Sequence, residues 1–293
     1  MKKTYFLMAM LFVGLMVVPA LGFTPTIDAD LSEWGLSKLL TDDWAINETW
    51  LPMNGISFIV EDNKDPRWGT PSGVHITGTG AVFNAFYEDK VMTRKGGPFP
   101  EPIGGEPYDL EAFYLGEDTT TVYVAVVTSV DPSLRGQYLP GDLAINADWN
   151  SGTGEFGYEY GIVFGEEGIY PQGTIVYLPD WEGKGDVIPP NVDVVIGVLP
   201  GGSISAVPAS IAYNNNWMTI TDNGKPNYVI EVGIPKNTIG MNGVSPHLKQ
   251  FRISENCIND SIIIPEFPTL AVSISMILGL LFCISHIKQR KID

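Results

Sequence analysis

Cysteine is nearly absent. The 293 residues hold two, Cys257 and Cys283. Cys283 lies inside a long apolar run and Cys257 lies outside it, which excludes a disulfide-stapled scaffold. A chain of this length can bury enough apolar surface without such staples. Histidine is as scarce, with three residues. His75 and His247, the two that precede the terminal apolar run, stand apart from any Ser or Cys motif. No His-Glu-x-x-His, no Gly-x-Ser-x-Gly and no phosphate-binding loop is present. Triads assemble in space rather than in sequence, but the residues as they stand lead to a non-enzymatic reading. Basic residues are the third shortage. Lys and Arg number 17 against 34 Asp and Glu, a net charge of −17. Such a balance repels nucleic acid and anionic lipid, and suits a soluble surface in contact with salt and divalent cations.

What is present is concentrated first at the ends. Lys2 and Lys3 precede an apolar stretch from Phe6 to Val18, and Ala20-Leu21-Gly22 supplies small residues ahead of Phe23. This is the pattern of a signal peptide cleaved before Phe23, with an uncleaved N-terminal anchor as the alternative. At the other end Pro265-Glu266-Phe267-Pro268 leads into a 17-residue uncharged run, Thr269 to Ser285, followed by Lys288, Arg290 and Lys291. That length is at the short end of a bilayer span, and the basic cluster after it belongs on the cytoplasmic side. A buried core helix is the competing reading. The expected organisation is a signal peptide over 1–22, an ectodomain over 23–262, and a tail with a transmembrane helix over 263–293. The ectodomain, 23–262, holds 32 of the acids and 12 of the basic residues, so it carries −20.

Pro-Glu-Phe, apolar helix and basic cluster in that order resemble the PEF-CTERM sorting signal of archaeal surface proteins. The resemblance implies recognition of Pro265, Glu266 and Phe267 by an archaeosortase, a membrane-embedded cysteine transpeptidase. It further implies replacement of the tail by another anchor. It covers only the last 29 residues and concerns display, not what the displayed part does.

The stretch between the ends reads as all-β. The chain has 32 Gly and 22 Pro, which cut it into short segments rich in Val, Ile, Tyr, Phe and Thr. No part of the stretch shows a long apolar stripe at helical spacing. Strands are predicted over 55–60, 81–87, 110–115, 121–130, 142–148, 158–164, 174–178, 192–199, 227–234 and 248–254. Residues 110–115 and 121–130 form a hairpin around Gly116-Glu117-Asp118. In the second of these, both alternating sets, Val122-Val124-Val126 and Tyr123-Ala125-Val127, are apolar, so the strand belongs in the middle of a sandwich. Residues 63–80 and 95–107 are rich in Gly and Pro and read as loops. Pro235 to Ile239 reads as a short helical turn. The expected architecture is a one-domain β-sandwich of jelly-roll type.

Three segments carry a second resemblance. Ile27-Asp28-Ala29-Asp30-Leu31-Ser32-Glu33-Trp34 opens the ectodomain and Tyr228-Val229-Ile230-Glu231-Val232-Gly233-Ile234-Pro235 comes near its close. These look like the opening and closing segments of family-9 carbohydrate-binding modules and related DOMON-like β-sandwiches, although Ala29 stands where such modules usually have Gly. By that analogy Trp34 packs in the core. The middle segment, Tyr108 to Tyr114, and Asn256-Cys257-Ile258-Asn259-Asp260 are similar to PEF-CTERM surface proteins, which often carry Cys-Gly-Asn-Asp where Ile258 departs.

Several constellations could carry chemistry. In Asn146-Ala147-Asp148-Trp149-Asn150-Ser151-Gly152-Thr153-Gly154-Glu155, oxygen-bearing side chains at alternate positions are able to wrap a hard cation such as Ca2+. Glu155 falls two positions short of the bidentate Glu of an EF-hand, so a looser calcium turn is meant. The alternative is an Asn/Asp/Gly turn using these residues for its geometry. Asp109 and Glu111 fall on one strand face, costly if buried without a cation, and unremarkable at a solvent edge. A carboxylate pair of that kind is also what a glycosidase uses. Among the seven tryptophans, Trp68 and Trp181 sit in polar, Gly/Pro-rich surroundings and are candidates for stacking on sugar rings, or else anchor loops. Asn47 and Asn259 open glycosylation sequons.

The resulting expectation is an exported, C-terminally anchored cell-surface protein with its ectodomain outside. Its first reading is a non-enzymatic envelope component or adhesin, with Ca2+ as the candidate cofactor. Its expected partners are the membrane through the C-terminal helix, the processing enzyme, and glycans or envelope proteins, with no nucleic acid. The alternatives are a carbohydrate-binding module for envelope or environmental polysaccharide, and a surface glycosidase.

Overall fold

The computed structural model describes residues 23–36, 50–63, 73–79, 82–86, 110–128, 130, 141–165, 170–183, 195–218, 227–246, 249–254 and 261–264. In chain order their strands are β1 (Ser57–Asn63), β2 (Gly73–Thr79), β3 (Val82–Phe86), β4 (Leu110–Glu117), β5 (Thr121–Thr128), β6 (Leu143–Asn146), β7 (Tyr160–Ile162), β8 (Ile175–Tyr177), β9 (Asp180–Gly183), β10 (Val195–Leu199), β11 (Ser203–Ile204), β12 (Ser210–Met218), β13 (Asn227–Pro235), β14 (Gln250–Ser254) and β15 (Ser261–Ile264). Every pairing between them is antiparallel. The chain is all-β. Short 3-10 helices at Leu31–Trp34 and Lys236–Thr238 accompany the strands.

A seven-stranded sheet runs β12-β13-β5-β4-β1-β2-β3, a six-stranded sheet runs β11-β8-β7-β6-β14-β15, and β9 pairs with β10 alone. β5 lies between β13 and β4, as its two apolar faces require. Val122, Val124 and Val126 enter one buried cluster, while Tyr123, Ala125 and Val127 enter another. The first cluster draws on both large sheets, with Phe113 and Ile230 from one and Ile145 and Phe251 from the other. The second lies between the seven-stranded sheet and the segments before β1, and contains Leu31, Trp34, Trp50, Phe58 and Tyr114. A third, smaller cluster sets Trp181 and Val198 of the β9–β10 pair against Ala144 and Tyr158. Each fully buried aromatic side chain in these clusters contributes on the order of 2–3 kcal/mol by leaving water.

The N-terminal segment is held on its sheet by close fits. Phe23 packs edge-on against Trp34 and Tyr123, at centroid distances of 4.7 and 5.6 Å. Its ring occupies the space over Gly116, where a Cβ would meet it at 2.6 Å. Ala29 is buried with φ 58°. The left-handed region costs a residue with a Cβ about 1–2 kcal/mol, which is why glycine suits the position.

The β4–β5 hairpin turns on Asp118. Its carboxylate accepts from the Thr120 and Thr121 N–H groups at 2.6 and 2.7 Å and from the Tyr123 hydroxyl at 2.7 Å. Burial opposes ionisation of Asp118, but these donors outweigh it and hold the carboxyl below its usual range. Lys236, itself buried, pairs with Glu117 and donates to the Asp118 carbonyl, tying the second 3-10 helix to the hairpin.

Two expectations need correction. Residues 73–79, within the segment read as loop, form β2; Gly73 and Gly78 do not prevent it, because β1 and β3 supply ladder partners on both sides. β12, read as no strand, pairs along β13. β15 pairs with β14 and ends at Ile264, the residue before Pro265. Among the described residues no helix is long and apolar enough to cross a membrane. The expected signal peptide, 1–22, and the apolar run 269–285 lie outside the described residues.

Candidate functional site

The segment between β6 and β7 folds as a run of turns. Asn146 Oδ1 accepts from the Trp149 N–H at 2.7 Å, Asp148 Oδ1 from the Asn150 N–H at 2.7 Å, and Asn150 Oδ1 from the Gly152 N–H at 3.0 Å. Asn150 Nδ2 donates to Thr153 Oγ1 at 2.8 Å. Alternate Asn and Asp residues thus close successive turns, the use their side chains make of the nearby backbone in loops. Trp149 and Phe156 adopt φ of 63° and 55°, and both side chains are partly exposed.

The oxygens expected to meet a cation separate into two groups. Glu155 leaves the loop: its Oε2 accepts from the Trp181 N–H at 2.7 Å and so secures β9. Asn150 is engaged within its own turn on both sides of the amide. Asn146 and Asp148 instead face Glu159, which no sequence motif singled out. The register Ile145↔Tyr160, continued by one residue, sets Asn146 opposite Glu159. Glu159 Oε2 accepts from the Ala147 N–H at 2.7 Å. Its Oε1 is buried and accepts no hydrogen bond from a donor among the described residues. The Asp148 carboxylate lies within hydrogen-bonding reach of the Glu159 side chain. Burial, reinforced by that neighbouring carboxylate, pushes Glu159 up to about 7. Asp148, exposed and supported by Glu159 and by the Asn150 N–H, is held below the ordinary range. The signal for Glu159 was its place between Tyr158 and Tyr160 in an alternating strand, which turns it to the opposite face from Tyr160.

The other candidates disperse. Glu111 is buried at a bulge in β4. Asp109, Trp68, Asn47, Asn259, Pro265, Glu266 and Phe267 lie outside the described residues. Trp181, expected to offer its ring to sugars, is 3 % exposed, and its Nε1–H points at the Tyr158 carbonyl at 3.4 Å. Its indole fills the space beside Ala144 that the small Gly161 leaves open. No group of three or more His, Cys, Asp or Glu residues able to hold a metal occurs among the described residues.

A different constellation unites the opening and closing motifs. Glu231, fully buried on β13, accepts from Trp34 Nε1–H at 2.8 Å through Oε1, and from the Ala29 and Asp28 N–H groups at 2.8 and 3.1 Å through Oε2. Burial raises its pKa against the pull of these donors. A lone acid inside Val-Ile-Glu-Val-Gly-Ile was the visible sign that the strand needs a polar partner. Asp142, half-buried, takes the Phe164 and Val198 N–H groups at 2.8 Å each and secures β10. Burial pushes it up to about 6, and nothing in the sequence marked it.

No protein-family model matches the chain, and neither a curated protein nor a solved structure matches it.

Proposed function

We propose that this chain is an exported, non-enzymatic cell-surface protein, an envelope component or adhesin. In this reading a signal peptide, 1–22, is removed and the two large sheets pack face to face as a jelly-roll-like sandwich. The tail carrying Pro265, Glu266 and Phe267 is the sorting signal, and its apolar run spans the membrane until an archaeosortase-type enzyme exchanges it. The observation that carries the reading is the employment of the acids. Glu231, Glu155 and Asp142 each hold backbone N–H of another segment, and Asp118 holds those of its own turn, which is the work of a rigid display scaffold rather than of a reactive cleft. The test is to treat intact cells with a non-permeant label and determine the mass of the recovered chain. The expected product begins at Phe23, is labelled from outside, and lacks the basic C-terminus. An unlabelled chain retaining Met1 removes the proposal.

A glycan-binding module is the second reading, favoured by the exposed aromatics Trp149 and Tyr177, 37 and 43 % exposed. Calorimetry with a glycan panel separates the two. Heat released by the unaltered chain but not by Trp149→Ala supports glycan binding, and no heat with any glycan leaves the display scaffold.

A further inference from the structure

We infer that a hard divalent cation, calcium above all, binds between Glu159 and Asp148 at the foot of the β6–β7 loop, with the Asn146 amide oxygen beside them. The Glu159 carboxylate meets that of Asp148, and the β6–β7 ladder, continued by one residue, sets Asn146 opposite Glu159. Glu159 is 3 % exposed, and its Oε1 accepts no hydrogen bond from any donor among the described residues. A buried carboxylate oxygen in that condition is costly. The group within reach of Glu159 is a second carboxylate, so the two meet as acceptor against acceptor. Either a shared proton or a cation resolves that arrangement. Asn146, opposite Glu159 in register, spends one lone pair of Oδ1 on the Trp149 N–H and keeps the other.

The chemistry of the donors selects the ion. All are oxygens, two of them anionic, with no imidazole or thiolate among them, which disfavours zinc and softer metals. Calcium accepts carboxylate, amide and backbone oxygens in variable number, with water completing the shell. Lys249 is close enough to Asp148 to favour its ionised form, and its charge opposes a cation, so a weak, extracellular-type affinity is expected, on the order of 10⁻⁴–10⁻³ M. The site differs from the one its loop residues suggest: Glu159 is the principal ligand, while Glu155 and Asn150 belong to the fold.

Terbium, a luminescent stand-in for calcium, provides the probe, because Trp149 follows Asp148 in the chain and can sensitise it. The full chain is titrated with terbium, the ion is displaced with calcium, and thermal unfolding is followed in calcium and in chelator. The expected result is saturable, calcium-displaceable luminescence and a higher Tm in calcium. Glu159→Gln should weaken calcium binding at least about tenfold, one ligand's worth of free energy, and Glu155→Gln should leave it unchanged. No saturation below about 10 mM calcium, ten times the weak limit of such sites, overturns the inference. So does unaltered affinity in Glu159→Gln. A Glu159→Gln chain that melts higher than the unaltered chain in chelator, combined with identical melting of the unaltered chain in calcium and chelator, assigns the pair to a shared proton. The titration needs no export, so its failure leaves the display reading standing, and the cell-surface labelling can fail without touching it.

Discussion

Replacing Glu231 by glutamine should destabilise the chain by about 1–3 kcal/mol, through hydrogen bonding alone. The carboxylate accepts three bonds, one at Oε1 from Trp34 and two at Oε2 from Asp28 and Ala29. Glutamine offers one oxygen and one amino group. With the oxygen turned to the two backbone donors, the amino group confronts the indole N–H, and a buried donor loses its partner at a cost of about 1–3 kcal/mol. The two remaining bonds also lose the charge that roughly doubles such bonds. Against this, the neutral amide avoids the desolvation that raises Glu231, which keeps the net cost within the same range. For a domain of this size about 2 kcal/mol lowers Tm by about 4–8 °C. The assay is thermal unfolding of four chains: unaltered, Glu231→Gln, Trp34→Phe and the double variant. Phenylalanine removes the opposing N–H, so Glu231→Gln should cost about 1 kcal/mol less in that background. A Tm within about 1 °C of the unaltered chain, below what even 1 kcal/mol would produce, refutes the reasoning. So does an equal cost in both backgrounds, which would mean that the contact between the opening and closing segments carries no coupling.

Three further outcomes follow from individual contacts. Gly116→Ala places a methyl group against the Phe23 ring and should cost about 1–3 kcal/mol by calorimetry, but little in a Phe23→Ala background; equal costs would show that Phe23 is not seated there. Ala29→Val puts a β-branched residue at φ 58° and should cost about 2 kcal/mol or more. Ala29→Gly should stay within about 0.5 kcal/mol, since strain relief and the lost buried methyl nearly cancel. Asp142 has a folded pKa of about 6, above its ordinary 3.8, so the folded chain holds this proton more tightly than the unfolded chain does. Its contribution is full below about pH 4 and is lost as pH rises through about 6, a span of about 3 kcal/mol. Denaturant midpoints at pH 4 to 7 should therefore show a decline that is absent in Asp142→Asn; a rise attributable to Asp142 would mean that its backbone donors outweigh burial.

The all-β character was legible because it rests on local properties. Two apolar faces in Thr121–Thr128 demanded a central strand, and β5 is one. Trp34, placed in the core only by analogy with the resembled opening motif, is fully buried there. What failed depended on neighbours. β2 contains glycines that weaken a strand in isolation, yet it is paired on both sides. Trp181 stands in a polar stretch, yet it closes over Ala144 and Tyr158 when β9 folds back. No local pattern reveals that return.

Acids divided the same way. Their number and their low ratio of basic partners are properties of composition, and the sequence alone determined them, together with the alternation of the strands and the turn chemistry of Asn146 to Gly152. Which carboxylate faces which donor was decided only in three dimensions. Glu231 meets Ala29 across 202 positions and Asp142 meets Val198 across 56. Glu159 meets Asp148 because a ladder between β6 and β7 brings the two ends of the loop together. Backbone propensity and side-chain alternation are set within a few residues, whereas the partner of a buried charge is set by whichever distant segment the packed core delivers to it.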